Sequence, residues 1–128
     1  MACLSDNGLM SSTELDVVCL CAQWCGTCRD YMTTFADLQA AMPGHRYRWI
    51  DIEDEADAIG DIDVETFPTL MVAHKGVVLF AGPVLPRLTD AQRLLEAQVE
   101  RWNSGNHRPI SGLPDDQFDA FTELAQTL

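Results

Sequence analysis

The chain has 128 residues and a mass of 14.2 kDa, which is enough for one domain with a single core. Apolar residues make up 47% of it, so disorder over the whole chain is excluded. Its 20 Asp and Glu residues against 8 Lys and Arg residues give a net charge of −12. A chain this acidic is repelled by phosphate backbones and anionic lipid, so we expect neither nucleic acid nor a membrane as a partner.

The first half of the chain predicts a strand, a helix, a second strand and a short helix. Residues 17–21 form a continuous apolar run, which is typical of a buried strand in a parallel sheet. A helix follows from Cys28 and ends at a Pro-Gly pair. Its apolar residues recur at intervals of three and four: Met32, Phe35, Leu38 and Met42. Residues 47–52 are predicted as the second strand and residues 54–59 as the short helix.

The second half predicts a β-hairpin and two further helices. Apolar runs at 69–73 and 77–80 flank Gly76, which favours a hairpin with this glycine in the turn. Thr89 or Asp90 is predicted to cap the next helix. Its core face is formed by Ala91, Leu94, Leu95, Val99 and Trp102. The last predicted helix has an apolar stripe, formed by Phe118, Phe121, Leu124 and Leu128, which we expect to dock on its own domain rather than on a partner.

These elements predict an α/β fold, a mixed sheet with helices on both faces. We expect an N-terminal arm over residues 1–15 and the main domain over residues 16–102. Residues 103–128 are expected to form a linker, rich in Gly, Asn and Pro at its start, and an additional C-terminal helix. No apolar stretch approaches the ~18 residues of a membrane span, and no basic segment precedes an apolar run at the start, so we expect a cytoplasmic protein.

Two further groups of residues are assigned to the surface. Eight acids lie between Asp51 and Glu65 without an intervening Lys or Arg. We interpret this acidic run as a solvated face, with a docking surface for a basic partner as the alternative. Three histidines at predicted loops, His45, His74 and His107, are also expected at the surface.

The cysteines carry the chemistry that the sequence predicts. Four of the five lie within ten residues, although structural disulfides are unusual in a reducing cytoplasm. Cys25 and Cys28 lie between the first strand and the first helix. Unpaired N–H groups at a helix start favour negative charge, so they favour the thiolate of Cys25 as a nucleophile. Cys28, one turn later, would resolve the mixed disulfide. Half of a zinc site is the alternative for an isolated C-x-x-C pair.

The residues around this pair resemble a known active site. Trp24-Cys25-Gly26-Thr27-Cys28 is similar to the W-C-G-x-C motif of the thioredoxin family. A second element, Thr66-Phe67-Pro68, resembles the cis-proline segment of the same family.

The resemblance implies a thioredoxin-like fold with a four- to five-stranded mixed sheet. It also implies a thiol–disulfide oxidoreductase that reduces protein disulfides, receives electrons from a separate reductase, and needs no cofactor or metal. Cys25 and Cys28 would be the catalytic dithiol. The residues implied in substrate binding are Trp24, Gly26, Thr27, Thr66, Phe67 and Pro68.

Two other cysteines depart from the family's pattern or lie outside its motif. Cys19 stands where the family carries a buried acid that accepts a proton from the resolving thiol. Cys19 and Cys21 alternate on the predicted strand, and we expect both to be buried free thiols that behave as small hydrophobes. The less favoured alternative joins them with Cys25 and Cys28 as four metal ligands. The lost acid also supports a second functional hypothesis, an interaction or redox-sensing module with little turnover.

Overall fold

A computed structural model describes residues 13–22, 25–60, 62, 68–111 and 115–128. The strands within these ranges are β1 (Asp16–Cys21), β2 (Arg46–Asp51), β3 (Thr69–His74), β4 (Val77–Pro83) and β5 (Ile110–Ser111). The helices are α1 (Gly26–Ala41), α2 (Ala56–Ile59), α3 (Leu88–Asn103) and α4 (Asp115–Gln126). The order of elements agrees with the order that the apolar pattern predicts, except for β5.

The described strands form one mixed sheet in the order β2-β1-β3-β4-β5. β1 pairs in parallel with β2 and antiparallel with β3, and β4 pairs antiparallel with β3. β5 is a two-residue strand parallel to β4, and it lies within the segment that the sequence predicts as a linker. The predicted α/β fold is therefore confirmed.

Alternate residues of β1 point to opposite faces of the sheet and enter two separate core clusters. Cys19 and Cys21 belong to the cluster under α1 and α3, whereas Val18 and Leu20 belong to the cluster under α4. The α4 residues buried in this second cluster are Ala120, Phe121, Leu124 and Ala125. The prediction that this helix docks on its own domain is confirmed. Among the described residues, no helix is both long enough and apolar enough to cross a membrane.

The turn between β3 and β4 consists of two residues with positive φ, Lys75 at 51° and Gly76 at 80°. A turn with two left-handed residues matches the right-handed twist of the strands that it connects. Gly76 adopts this conformation without the steric cost that a Cβ atom imposes. The predicted hairpin is confirmed.

Two details of the predicted helices are wrong. α3 has Arg87 at its N-cap, not Thr89 or Asp90. Asp90 lies inside the first turn, where its Oδ2 accepts a hydrogen bond from Nε of Arg87 at 2.7 Å. On α1, Met32 is 56% exposed. The buried face of α1 is instead formed by Cys28, Tyr31, Phe35 and Leu38.

The three histidines differ in their surroundings. His74 ends β3 and is buried, so its predicted surface position is wrong. Its Nδ1 donates a hydrogen bond to the carbonyl oxygen of Glu14 at 2.7 Å, and its ring packs edge-on against Trp102. His107 is exposed, and its ring stacks on the ring of Trp102 at a centroid distance of 3.6 Å.

His45 is partly buried, and its ring predicts a pH dependence of stability. Its Nδ1 accepts the amide N–H of Leu15 at 3.0 Å, which requires the neutral ring. Burial lowers the pKa of His45, partly offset by Glu14. Because the folded-state pKa lies below the unfolded value, this contribution is present above pH ~6.5 and is lost as the pH falls through the folded-state pKa.

We therefore expect the free energy of unfolding to fall between pH 7 and pH 5, by about 1 kcal/mol for the loss of this hydrogen bond. Urea titrations at the two pH values measure it. His45→Gln should flatten the pH dependence, whereas His107→Gln, a change at an exposed ring, is the matched control. An unchanged slope in His45→Gln would reject the assignment.

Candidate active site

The connection from β1 to α1 places Cys25 at the start of a helix. Its amide N–H donates to the carbonyl oxygen of Ala22 at 3.0 Å, and its own carbonyl accepts the first helical hydrogen bond from Arg29 at 3.1 Å. Cys25 is the N-cap residue of α1 and is partly exposed. Gly26 and Thr27 follow on the exposed side of the first turn. The local fold therefore presents the Cys25 thiol at the surface.

Cys28 lies one turn further along α1 and is buried, with only 1% of its surface exposed. Its Sγ accepts a hydrogen bond from the amide of Ala22 at 3.4 Å. It is bonded to Cys21 in a disulfide whose Cα atoms are 5.7 Å apart. Cys25 is a free thiol. The structure therefore joins the expected resolving cysteine to a residue of β1 and leaves the expected nucleophile free.

The prediction that Cys21 is a free buried thiol is wrong. Cys28 faces inward from the first turn of α1, onto the face of the sheet that Cys21 shares, so the two side chains meet in one core cluster. The signal available in the sequence was the position of Cys21, at the end of the strand and directly before the turn into the helix.

The same bond disagrees with the four-cysteine metal hypothesis, because Cys21 and Cys28, two of its four ligands, are joined to each other. In the described ranges, no three or more His, Cys, Asp or Glu side chains are grouped so that they could hold a metal ion.

Two neutral groups lie beside the disulfide. Cys19 is free and buried, as predicted, and its thiol donates to Sγ of Cys21 at a sulfur–sulfur distance of 4.0 Å. Burial raises the pKa of Cys19 far above its usual range, so the thiol stays protonated at neutral pH. The Tyr31 hydroxyl is buried without a hydrogen-bond partner among the described residues. Burial raises the pKa of Tyr31, with a smaller contribution from the negative charge of Asp90. Neither group can act as the missing carboxylate base.

Pro68 lies at the same end of the sheet as the cysteines. It directly precedes β3, whose first residue, Thr69, pairs with Leu20 of β1. Continuing this register places Pro68 opposite Cys21. Its carbonyl accepts the amide of Val84 at 3.0 Å. Trp24, Thr66 and Phe67 lie outside the described residues, so their predicted roles, and the predicted cis bond before Pro68, stay predictions.

A cleft of about 310 Å³ opens on the β2 side of Cys28. Acidic side chains dominate its charge, and apolar surface is contributed by Met32 and Trp49. Its lining residues are Ala22, Cys28, Arg29, Met32, Trp49, Asp51, Asp54 and Glu55. Part of the acidic run is held in place here, because Arg48 pairs with Glu55 at 2.9 Å. Within the described part of the run, Glu53, Asp54 and Asp57 are exposed, as predicted.

The family model for thioredoxin matches residues 6–83, a range that contains β1, α1, the hairpin and four of the five cysteines. The chain belongs to the thioredoxin family. Among curated relatives, it is 32% identical over 68 residues to thioredoxin H1 of Arabidopsis thaliana, covering 53% of this chain and 60% of that protein. It is 27% identical over 84 residues to putative thioredoxin 2 of Streptomyces coelicolor, covering 63% of each. The chain thus spans about three fifths of the length of these relatives.

Solved thioredoxin structures share the fold. The X-ray structure of Fasciola hepatica thioredoxin superposes with a TM-score of 0.60 at 22% identity, covering 68% of this chain and 83% of that one. Thioredoxin O1 of Arabidopsis thaliana, in its oxidised state, gives a TM-score of 0.57 at 21% identity, covering 68% and 79%. The predicted membership of this family and its fold are both confirmed.

Proposed function

We propose that the protein is a thiol–disulfide oxidoreductase that reduces disulfides in protein substrates with Cys25 and Cys28. One observation carries the proposal: a member of the thioredoxin family has a free, partly exposed Cys25 one helical turn before a buried Cys28 that is engaged in a disulfide. We place this chemistry in the cytoplasm, where a disulfide between two cysteines is more often catalytic or redox-sensing than structural.

In the reaction, the thiolate of Cys25 attacks one sulfur of a substrate disulfide and forms a mixed disulfide, and the first substrate thiol leaves. The thiolate of Cys28 then attacks Sγ of Cys25 and releases the second substrate thiol. The substrate gains two electrons and two protons, and the protein is left with one disulfide. A separate reductase returns it to the dithiol state. Neither step needs a cofactor or a metal.

The position of Cys25 supports its role as the nucleophile. A residue at a helix N-cap faces the unpaired amide groups of the first turn, which stabilise negative charge. Its partial exposure allows a substrate sulfur to approach, whereas Cys28 is buried and lines the neighbouring cleft. Trp24, Gly26, Thr27, Thr66, Phe67 and Pro68 are proposed to form the surrounding substrate groove.

A second candidate, a redox-sensing module with little turnover, is favoured by two observations. Cys28 is bonded to Cys21 rather than free to resolve a mixed disulfide. In addition, the protonated Cys19 occupies the position of the family's buried acid, so deprotonation of Cys28 lacks its usual base.

The test is an equilibrium redox titration combined with a turnover assay. The protein is equilibrated in thiol buffers of graded potential, free thiols are alkylated, and the labels are counted by mass. A two-electron couple together with catalysed reduction of a protein disulfide by dithiothreitol is the expected result. A couple without catalysis would favour the redox-sensing module, and the absence of a titratable couple would reject both functions.

A further inference from the structure

The disulfide does not join the two cysteines that a two-cysteine mechanism would join. After a cycle confined to Cys25 and Cys28, the oxidised protein would hold both of them in one bond and would present no thiol at the helix start. In the structure, Cys28 is bonded to Cys21, and Cys25 is free and partly exposed.

We infer that Cys21 is a third redox cysteine, which takes over the disulfide from Cys25 and returns Cys25 to the free thiol. The inference rests on the proposed function, because it begins from the Cys25–Cys28 disulfide that substrate reduction produces. In the step, Sγ of Cys21 attacks Sγ of Cys28. The Cys21–Cys28 bond forms, the Cys25–Cys28 bond breaks, and Cys25 leaves with the electron pair. The proton of the Cys21 thiol passes to Cys25 or to solvent, so no electrons enter or leave the protein.

The packing around Cys28 supports this exchange. Cys21 and Cys28 belong to one core cluster, and Cys25 is among the partly buried residues that pack against this cluster. Cys28 takes part in both possible disulfides. Cys21 lies at the end of β1, and Cys25 lies one turn before Cys28, at the N-cap of α1. In the proposed exchange, Sγ of Cys28 is the sulfur that bonds first to Cys25 and then to Cys21.

Burial gives the two possible disulfides different exposure. Both cysteines of the Cys21–Cys28 bond are at most 1% exposed, whereas a Cys25–Cys28 bond would include the partly exposed Cys25. The transfer thus moves the oxidised pair into the core. Cys19, two residues earlier on the same face of β1, remains a free thiol whose Sγ lies 4.0 Å from Sγ of Cys21, so it takes no part in the bond to Cys28.

The consequence is a further activity of the oxidised protein. With Cys28 held by Cys21, Cys25 can still attack a disulfide, but Cys28 is no longer free to resolve the adduct. The oxidised protein therefore forms a lasting mixed disulfide in an exchange without net electron transfer to the substrate. A two-cysteine oxidoreductase lacks this reactivity when it is oxidised.

The test counts the thiol that remains after oxidation. All variants carry Cys3→Ser, and each is oxidised with one equivalent of diamide to a monomer that is two hydrogens lighter. The native protein is then mixed with 5,5′-dithiobis(2-nitrobenzoate), and the released thionitrobenzoate is measured. We expect about one equivalent from the Cys3→Ser protein and almost none after the additional change Cys21→Ala, which leaves Cys25 paired with Cys28.

Cys19→Ala is the matched control, a change of the other buried cysteine on the same face of β1, and it should still release about one equivalent. Peptide mapping of the oxidised Cys3→Ser protein should recover Cys21 linked to Cys28 and the adduct on Cys25. Recovery of Cys25 linked to Cys28, or equal release with and without Cys21, would overturn the inference. Release from Cys25 in a protein without turnover would instead reject the proposed function and leave the exchange intact.

Discussion

Replacing Cys25 with serine is expected to lower the rate of protein-disulfide reduction by a factor on the order of 10³ or more. A serine hydroxyl is not ionised at neutral pH and forms no bond that a thiol can cleave by exchange. The other cysteines of the described residues do not replace it, because Cys19, Cys21 and Cys28 are each at most 1% exposed and a substrate disulfide cannot reach them. The measurement is the turnover of a protein disulfide with dithiothreitol as the electron donor.

Two other substitutions are needed to interpret the activity of Cys25→Ser. Cys3→Ser should retain the activity of the original protein, since Cys3 lies outside the proposed dithiol. Cys28→Ser should accumulate a mixed disulfide between Cys25 and the substrate, detectable as an added mass that dithiothreitol removes. A Cys25→Ser protein that kept more than about a tenth of the activity would exclude Cys25 as the nucleophile.

Replacing Phe121 with alanine is expected to lower the free energy of unfolding by about 3–5 kcal/mol, the usual cost of removing a fully buried phenylalanine ring. Phe121 is 1% exposed and belongs to the cluster between α4 and the sheet. Since small domains are stable by only about 5–15 kcal/mol, the loss is a large part of the total. Urea-induced unfolding, followed by circular dichroism, measures it.

Phe118→Ala is the matched control, because it removes the same ring from the same helix at a partly buried position. We expect a clearly smaller loss from it. Equal losses from the two variants would contradict the assignment of Phe121 to the core. A loss below about 1 kcal/mol in Phe121→Ala would show that α4 contributes little to folding.

The sequence predicts the larger elements because their patterns are local. A continuous apolar run marks β1, and two short runs around Gly76 mark the hairpin. The elements that it misses depend on contacts distant in the chain. β5 has two residues and exists only because it pairs with β4. His74 has a polar side chain beside a turn, and it is buried only because Glu14 and Trp102 approach it from other elements.

The candidate site, too, is predicted by the sequence only where the pattern is local. The position of Cys25 at the start of a helix follows from the motif and from the run of apolar residues before it. The partner of Cys28 does not, because spacing in sequence favours Cys25, three residues away, over Cys21, seven residues away. The choice between them depends on which side of α1 faces the sheet, a tertiary property that a motif does not contain.

The two faces of the sheet are closed at different times during synthesis. Chain order places α1 and α3, which cover the face that carries the disulfide, before α4, which covers the opposite face. After α3 has left the ribosome but before α4 has, the apolar side chains of Val18, Leu20 and Met71 lack the cover that α4 provides. Transiently exposed apolar surface of this kind promotes aggregation and chaperone binding. Before α4 emerges, α1 and α3 can therefore cover the face that carries the disulfide, while the opposite face is still open to contacts that promote aggregation.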